Sequence, residues 1–366
     1  MKVESISIQN FKLFDNLEVS FKHKTLEEVS NRFLVLGDNG TGKTTLLQAI
    51  ALPLAIATKQ IKSVAEFDWP EFLPERFWKW GTPRIQLTVS FVDEEIEATQ
   101  EIAKQWYDAQ PSEFKSEHPF IEPSNEHTIQ LSLAGEYFQC GKNSPAERFQ
   151  FQGRYYANKL HWLDSSLQLP LSKLPGIFWF DQYRNLVSAK EKSGDKTKAG
   201  QGQSFSKQGI ENLRESLLEW KQKQDSGCSE STDTLRAIEN PFQRIFPGRT
   251  FNGLEIMSSA KFRIEKKFLF LLDDGYHTYD IVEMSGGEQS IFPILYDFAR
   301  QNIAHAIVLL DELDLNLHPP ASQFVVNQLF KISSTCQFIL TTHSEAVNNI
   351  VSENETWRLE GGLLCL

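Results

Sequence analysis

Apolar and polar residues alternate at the start of the chain, with Ile6 and Ile8 set between Ser5, Ser7 and Gln9 and a second alternating run from Leu17 to Phe21. This period of two predicts a pair of strands with one buried face. Phe33 to Leu36 is a short continuous apolar run that meets a glycine-rich loop, and beyond it Leu46, Leu47, Ile50, Leu54 and Ala57 recur at helical spacing. The order is therefore strand, loop, helix. Arg84 to Val92 alternates as a strand, and Glu94 to Gln110 has helical character until Pro111 ends it. The pattern from there to about Pro175 is mixed, and Ile177 to Phe180 is again a short buried-strand run. The polar, locally basic stretch SAKEKSGDKTKAGQGQSFSKQG after Val187 is expected to be a flexible linker. Two amphipathic helices follow. One carries Ile210, Leu213, Leu217 and Leu218, and the other carries Leu235, Ile238, Phe242 and Ile245 with a break expected at Pro241. Phe262 to Leu272 and Tyr276 to Ile281 flank Asp273, Asp274 and Gly275, which suit a tight hairpin turn better than a pair of catalytic carboxylates. From Gly287 onward helix and strand alternate, the rhythm of a parallel sheet with covering helices.

Composition narrows the class. The chain has 366 residues, 40% hydrophobic and 23% charged, as in an ordinary globular protein with a sizeable core. Its 37 basic and 48 acidic residues leave a net charge of −11, which argues against coating nucleic acid through bulk charge, so any DNA contact must be local. Lys190, Lys192, Lys196 and Lys198, or Lys261, Arg263, Lys266 and Lys267, are the candidate patches, although such runs are more often solvated faces. Cys140, Cys228, Cys336 and Cys365 stand far apart with no CxxC pair, so neither a zinc ribbon nor a disulfide framework is suggested. No run of apolar residues is long enough to span a bilayer, and a cytoplasmic location is expected. Trp69, Phe72, Phe77, Trp78 and Trp80 crowd one short region, which reads as a loop packing its rings on the core rather than as a docking surface.

Three stretches carry chemistry. Gly37-Asp38-Asn39-Gly40-Thr41-Gly42-Lys43-Thr44, followed by Thr45, fits GxxxxGK[ST] at every fixed position and lies between a strand and a helix. Glycines there let backbone N–H groups turn inward around phosphates, and the helix adds its positive end. Lys43 supplies a point charge, and the Thr44 hydroxyl a magnesium ligand. Far downstream the apolar run Ala306 to Leu310 ends in Asp311 and Glu312, suited to holding magnesium and to activating the attacking water. Between them, Ser285-Gly286-Gly287-Glu288-Gln289 opens a predicted helix and exposes N–H groups and a hydroxyl to an anion, although a plain helix cap has the same look.

A phosphate loop, SGGEQ, DELD and a histidine after the next strand, in that order, resemble the ABC ATPases over most of the chain. The resemblance implies an α/β fold: an ABC-type P-loop ATPase with a mixed N-terminal sheet, a central parallel sheet and an inserted helical lobe. It implies a single domain over 1–366, with a nucleotide-binding lobe to 185 that contains the segment 94–175, a helical signature lobe over 186–285, and the remaining core half over 286–366. ATP and magnesium are the implied ligands. By the same resemblance Ser285, Gly286 and Gly287 act in trans on the γ-phosphate held by a second copy, Asp314 lies in the loop at the dimer interface, and His343 is the switch histidine. Gln182, after Ile177 to Phe180, stands in the place of the glutamine that senses magnesium and water, and Asn10-Phe11-Lys12 can supply the adenine contact, although Phe11 reads equally as a core residue. DELDLNLHPP and the opening ISIQNFKLFDNLEVSF resemble the branch that holds RecF, SMC proteins and the ATPase domains of OLD nucleases. No heptad arm is present, and the short stretch after His343 leaves no room for a nuclease domain, so any effector, nuclease or toxin, is expected to be a separate polypeptide. The chain is similar to stand-alone ATPase subunits of bacterial anti-phage systems, such as PtuA of Septu and retron systems and AriA of PARIS. RecF-like repair is the alternative role, and a transporter energy subunit is disfavoured by DLNLHPP.

Overall fold

A computed structural model describes residues 1–77, 81–163, 169–182, 209–225, 229–257 and 267–359. The alternation at the start becomes an antiparallel pair, β1 (Lys2–Phe11) and β2 (Phe14–Ser20), with Ile6 opposite Val19 and Ile8 opposite Leu17. β4 (Arg84–Ser90), β5 (Thr128–Ala134) and β6 (Tyr137–Cys140) extend it in the order β2-β1-β4-β5-β6. Among the described residues its pairings are antiparallel. Two of its strands come from the segment 94–175 and meet in a tight hairpin at Gly135, whose φ of 61° suits glycine.

A second sheet is wholly parallel. β3 (Arg32–Gly37), β7 (Gly176–Phe180), β11 (Ala306–Leu310), β12 (Gln337–Thr342) and β13 (Thr356–Leu359) lie in the order β13-β3-β12-β11-β7. Alternate residues of these strands serve different cores. Phe33, Val35, Ile177, Trp179, Ile307, Leu309 and Ile339 face α1 (Lys43–Ala57) and the antiparallel sheet, whereas Leu34, Leu36, Phe178, Phe180, Val308, Leu310, Phe338 and Leu340 face the helices on the other side. Burial on both faces is why the strands read as unbroken apolar runs. α1 lies between the two sheets, so it too is apolar on nearly every side.

The far core is covered by α6 (Gly209–Asp225), α7 (Ser229–Ile245), α8 (Gly286–Gln301) and α9 (Pro319–Ile332). Leu213 and Leu217, then Leu235, Ile238, Phe242 and Ile245, are buried there as their spacing predicts. The break expected at Pro241 does not occur: α7 runs through it. Proline in a helix interior costs about 3 kcal/mol, but Ile238, Phe242 and Ile245 anchor the helix on both sides of it, and their burial outweighs that cost. The lobe is not purely helical. β8 (Thr250–Met257), β9 (Lys267–Asp273) and β10 (Thr278–Asp280) form an antiparallel sheet in it. The Asp273–Gly275 turn is as expected: Asp273 Oδ1 accepts from the Gly275 N–H at 2.6 Å, and Asp274 Oδ1 from those of Tyr276 and His277 at 2.8 and 2.7 Å. The two backbone donors hold the Asp274 carboxyl below its ordinary range.

Beside the antiparallel sheet, α2 (Asp93–Asp108) packs Ala98 and Ile102 on Tyr156, Ala157 and Leu160 of α5 (Gly153–Leu163). α3 (Ser112–Glu117) follows Pro111, the residue expected to stop α2, while α4 (Pro145–Gln150) and α10 (Glu345–Asn348) are short. Trp69, Phe72 and Phe77 are buried, and Phe67 and Trp69 pack on Trp179, so the aromatic loop is core. Trp78 and Trp80, the linker from Ser188 to Gln208, the lysines at 190, 192, 196 and 198, and Lys261, Arg263 and Lys266 lie outside the described residues. Cys140 and Cys336 are buried free thiols, and burial pushes the Cys140 thiol up to about 12. Among the described residues no helix is long and apolar enough to cross a membrane, and no group of three or more His, Cys, Asp or Glu side chains is placed to hold a metal ion by itself.

Candidate nucleotide site

The register of the parallel sheet brings the candidate residues together. Leu36 pairs with Thr342, Leu340 with Leu310 and Leu310 with Phe180, so the loops after β3, β12, β11 and β7 leave the same carboxyl edge. That edge is where open α/β sheets hold ligands.

The phosphate loop joins β3 to α1, with Asn39 and Gly40 exposed at its tip and Thr45 buried. Gly40 has φ 82° and Gly42 φ 100°, both left-handed. A Cβ at Gly42 would stand 2.7 Å from Phe14 Cζ, so glycine there is demanded by backbone and by space. Thr41 Oγ1 donates to the Asp38 carbonyl at 2.9 Å, and Lys43 Nζ donates to the carbonyls of Gly37 and Asp38 at 2.8 and 3.0 Å. The ammonium is thus held across the mouth of the loop, where a phosphate can take it over.

Thr44 Oγ1 donates to Asp311 Oδ2 at 2.8 Å, uniting the two expected magnesium ligands across the sheet. A hydroxyl beside a fully buried carboxylate is the hard-oxygen donor set that magnesium favours, and the ion would supply charge neutralisation at the phosphates. Glu312 follows with φ 45°, an uncommon conformation for a residue with a Cβ.

Thr341, which the sequence reading passed over as part of a strand, holds this pair. Its Oγ1 donates to Asp311 Oδ1 at 2.6 Å and accepts the Glu312 N–H at 2.7 Å. Leu313 N–H donates to the Thr341 carbonyl at 3.1 Å, and Asp311 N–H to that of Phe180 at 2.9 Å. Both acids are therefore fixed by neighbouring strands. Thr341→Val keeps the shape but removes the hydroxyl that the part-buried Glu312 N–H and the buried Asp311 carboxylate both use, a loss of about 1 kcal/mol or more. Turnover should fall at least about tenfold with KM for ATP little changed, while Thr341→Ser retains activity. Wild-type kcat in the valine variant would refute this role.

The next residue, Thr342, donates from Oγ1 to Asp314 Oδ1 at 2.5 Å, and His343 Nε2 lies 3.6 Å from Asp314 Oδ2. Asp314 thereby orients the half-exposed histidine. Gln182, two residues beyond β7, donates its amide to Glu71 Oε1 at 3.0 Å. Of the two readings open for Phe11, the core one matches its packing. Phe11 is fully buried against Phe72 and Phe77, and Lys12 Nζ donates to Gln48 Oε1 at 2.7 Å. Burial holds the Lys12 ammonium below its ordinary range.

Ser285 caps α8 at its amino end. Its Oγ accepts the Glu288 N–H at 3.3 Å, and Glu288 Oε2 accepts the Ser285 N–H at 2.8 Å, a complete capping box. Arg249 Nε and Tyr279 Oη donate to Glu288 Oε1 at 2.8 and 3.1 Å. Burial alone would raise the Glu288 carboxyl, but these donors together hold it below its ordinary range. A Cβ at Gly286 would meet only Asn316 within 4 Å, and one at Gly287 would meet Asn316 O and Leu317 Cδ2 at 3.2 Å. The two glycines thus stand against the loop that carries Asp314.

A phosphate loop, two acids at the end of a strand one removed from it, and a capped glycine turn at the start of α8 are the parts of a P-loop ATPase. The fold agrees: an SMC head bound to the C-winged helix domain of ScpA superposes with a TM-score of 0.51 and 14% identity, over 96% of this chain and 93% of that one. The family model for the AAA ATPase domain matches residues 1–347; the chain belongs to that family and is an ATPase. It is 22% identical to the retron Ec83 probable ATPase of Escherichia coli, over 99% of this chain and 72% of that protein. It is 24% identical to the Septu protein PtuA of Bacillus mycoides (strain KBAB4), over 93% of this chain but 38% of that one. These relatives belong to the anti-phage ATPases that the motifs resemble.

Proposed function

We propose that two copies of this chain close on ATP and that hydrolysis reopens them, a switch that controls a separate effector in anti-phage defence. The observation that supports the shared site is the capped turn Ser285-Gly286-Gly287, which leaves Ser285 and Gly286 exposed and packs its glycines against the loop that carries Asp314. Lys43, the loop N–H groups and the end of α1 bind the phosphates of one copy. The signature turn of the other then offers its N–H groups and the Ser285 hydroxyl to the γ-phosphate. Thr44 and Asp311, with Gln182 as a further candidate, would hold the magnesium ion. Glu312, fixed by Thr341, takes the proton of the attacking water, and His343 on Asp314 contacts the terminal phosphate. Losing that phosphate removes its bridge between the copies, so closure is favoured only while the triphosphate is bound.

Similarity to retron and Septu ATPases supports the defence role. The test is a phage plaque assay on cells that express the chain with its adjacent genes. Wild type is expected to reduce plaque formation and Lys43→Ala and Glu312→Gln to lose that effect. Equal protection by all three would overturn the reading.

A further inference from the structure

One surface far from the nucleotide combines cations with flat rings. Lys59 Nζ lies 4.4 Å from the Tyr155 ring centroid, and Lys159 Nζ lies 5.8 Å from Tyr155 and 4.8 Å from Trp162. Arg148 Cζ stands 5.9 Å from the ring of Phe138. Tyr155, Lys159 and Trp162 recur at spacings of four and three, so they share the face of α5 turned from the buried Tyr156, Ala157 and Leu160. Trp162 is 77% exposed, far outside the habit of the largest apolar side chain. Burial, together with the charges of Lys159 and Arg148, holds the Lys59 ammonium below its ordinary range. Cations gathered this closely, in a chain of net charge −11, call for an anion from outside.

We propose that this surface binds single-stranded nucleic acid. Lys59, Lys159 and Arg148 meet the phosphates, Tyr155 holds the two ammonium groups in place, and the exposed face of Trp162 stacks a base. An acidic protein segment would satisfy the cations but give Trp162 nothing flat to cover, so stacking decides between the two partners. Lys59 follows the carboxyl end of α1, whose amino end starts at the phosphate loop. The fifteen residues of that helix put about 22 Å between the surface and the nucleotide, so both can be occupied at once.

The test is fluorescence anisotropy of a labelled oligothymidine with the full chain, titrated at several salt concentrations. The double variant Lys59→Gln/Lys159→Gln should bind at least about tenfold more weakly and lower the salt slope by about 1.4, two single-strand phosphate contacts at 0.7 each. Trp162→Ala should lose about five- to 150-fold in affinity with the slope unchanged. ATP hydrolysis by both variants checks that they fold. Failure of the wild type to bind, or variants that bind as it does, would overturn the proposal. So would a hairpin duplex that binds as tightly with Trp162→Ala silent, or polyglutamate that displaces the oligonucleotide at equal charge, which would point to an acidic protein instead.

Discussion

Glu312→Gln is expected to reduce ATP turnover by about 10²–10⁴-fold, the usual contribution of a positioned general base, while leaving ATP affinity near wild type. The side chain changes but its mounting does not. The Glu312 N–H still reaches Thr341 Oγ1, Asp311 still receives Thr341 and Thr44, and glutamine fits the same left-handed backbone. ATP then binds and stays, so light scattering should find a species of twice the monomer mass in ATP that persists where the wild type returns to its starting mass. Undiminished hydrolysis in this variant would remove Glu312 from the mechanism. Unchanged mass with and without ATP would remove the closure step.

Lys43→Ala is expected to act earlier. Its ammonium is buried at the mouth of the loop and donates only to the carbonyls of Gly37 and Asp38, which a phosphate can displace. A charge-assisted contact of about 2 kcal/mol or more to phosphate is lost, so ATP affinity should fall at least about 30-fold. The fold should survive, because the loop keeps its glycines and α1 stays buried between the two sheets. Titration calorimetry with ATP and magnesium measures this directly, and affinity equal to the wild type would displace the phosphate site from this loop.

How far the sequence reading reached follows from the range of the interactions involved. Residues whose role depends on a local backbone device were legible: Gly42 in its left-handed turn, Lys43 at the start of α1, Asp274 in the hairpin, Ser285 with Glu288 at a helix cap. Burial on one or two faces also left its mark, as alternation in β1 and as unbroken apolar runs in β3, β11 and β12. What failed depends on partners distant in the chain. Thr341 has no pattern of its own; only the register of β12 against β11 gives it Asp311 and Glu312. Phe11 stayed open between an adenine contact and the core because its packing against Phe72 and Phe77 is set by a loop that folds back on β1. Pro241 carried a correct local penalty that tertiary burial overrode. The hairpin of β5 and β6 and the cationic face of α5 lay in the stretch whose pattern was mixed, because short elements there pack on several neighbours at once.

The account rests on a site made by two chains, and mixing two defective variants tests that most directly. Lys43→Ala lacks a phosphate loop and Ser285→Arg lacks a signature, so each alone should be inactive. In a mixed pair, the intact loop of one faces the intact signature of the other at one of two sites. An equimolar mixture should therefore recover up to about a quarter of wild-type hydrolysis by random pairing across a twofold interface. A mixture as inactive as its components would show that loop and signature act within one chain, and the shared site would be wrong.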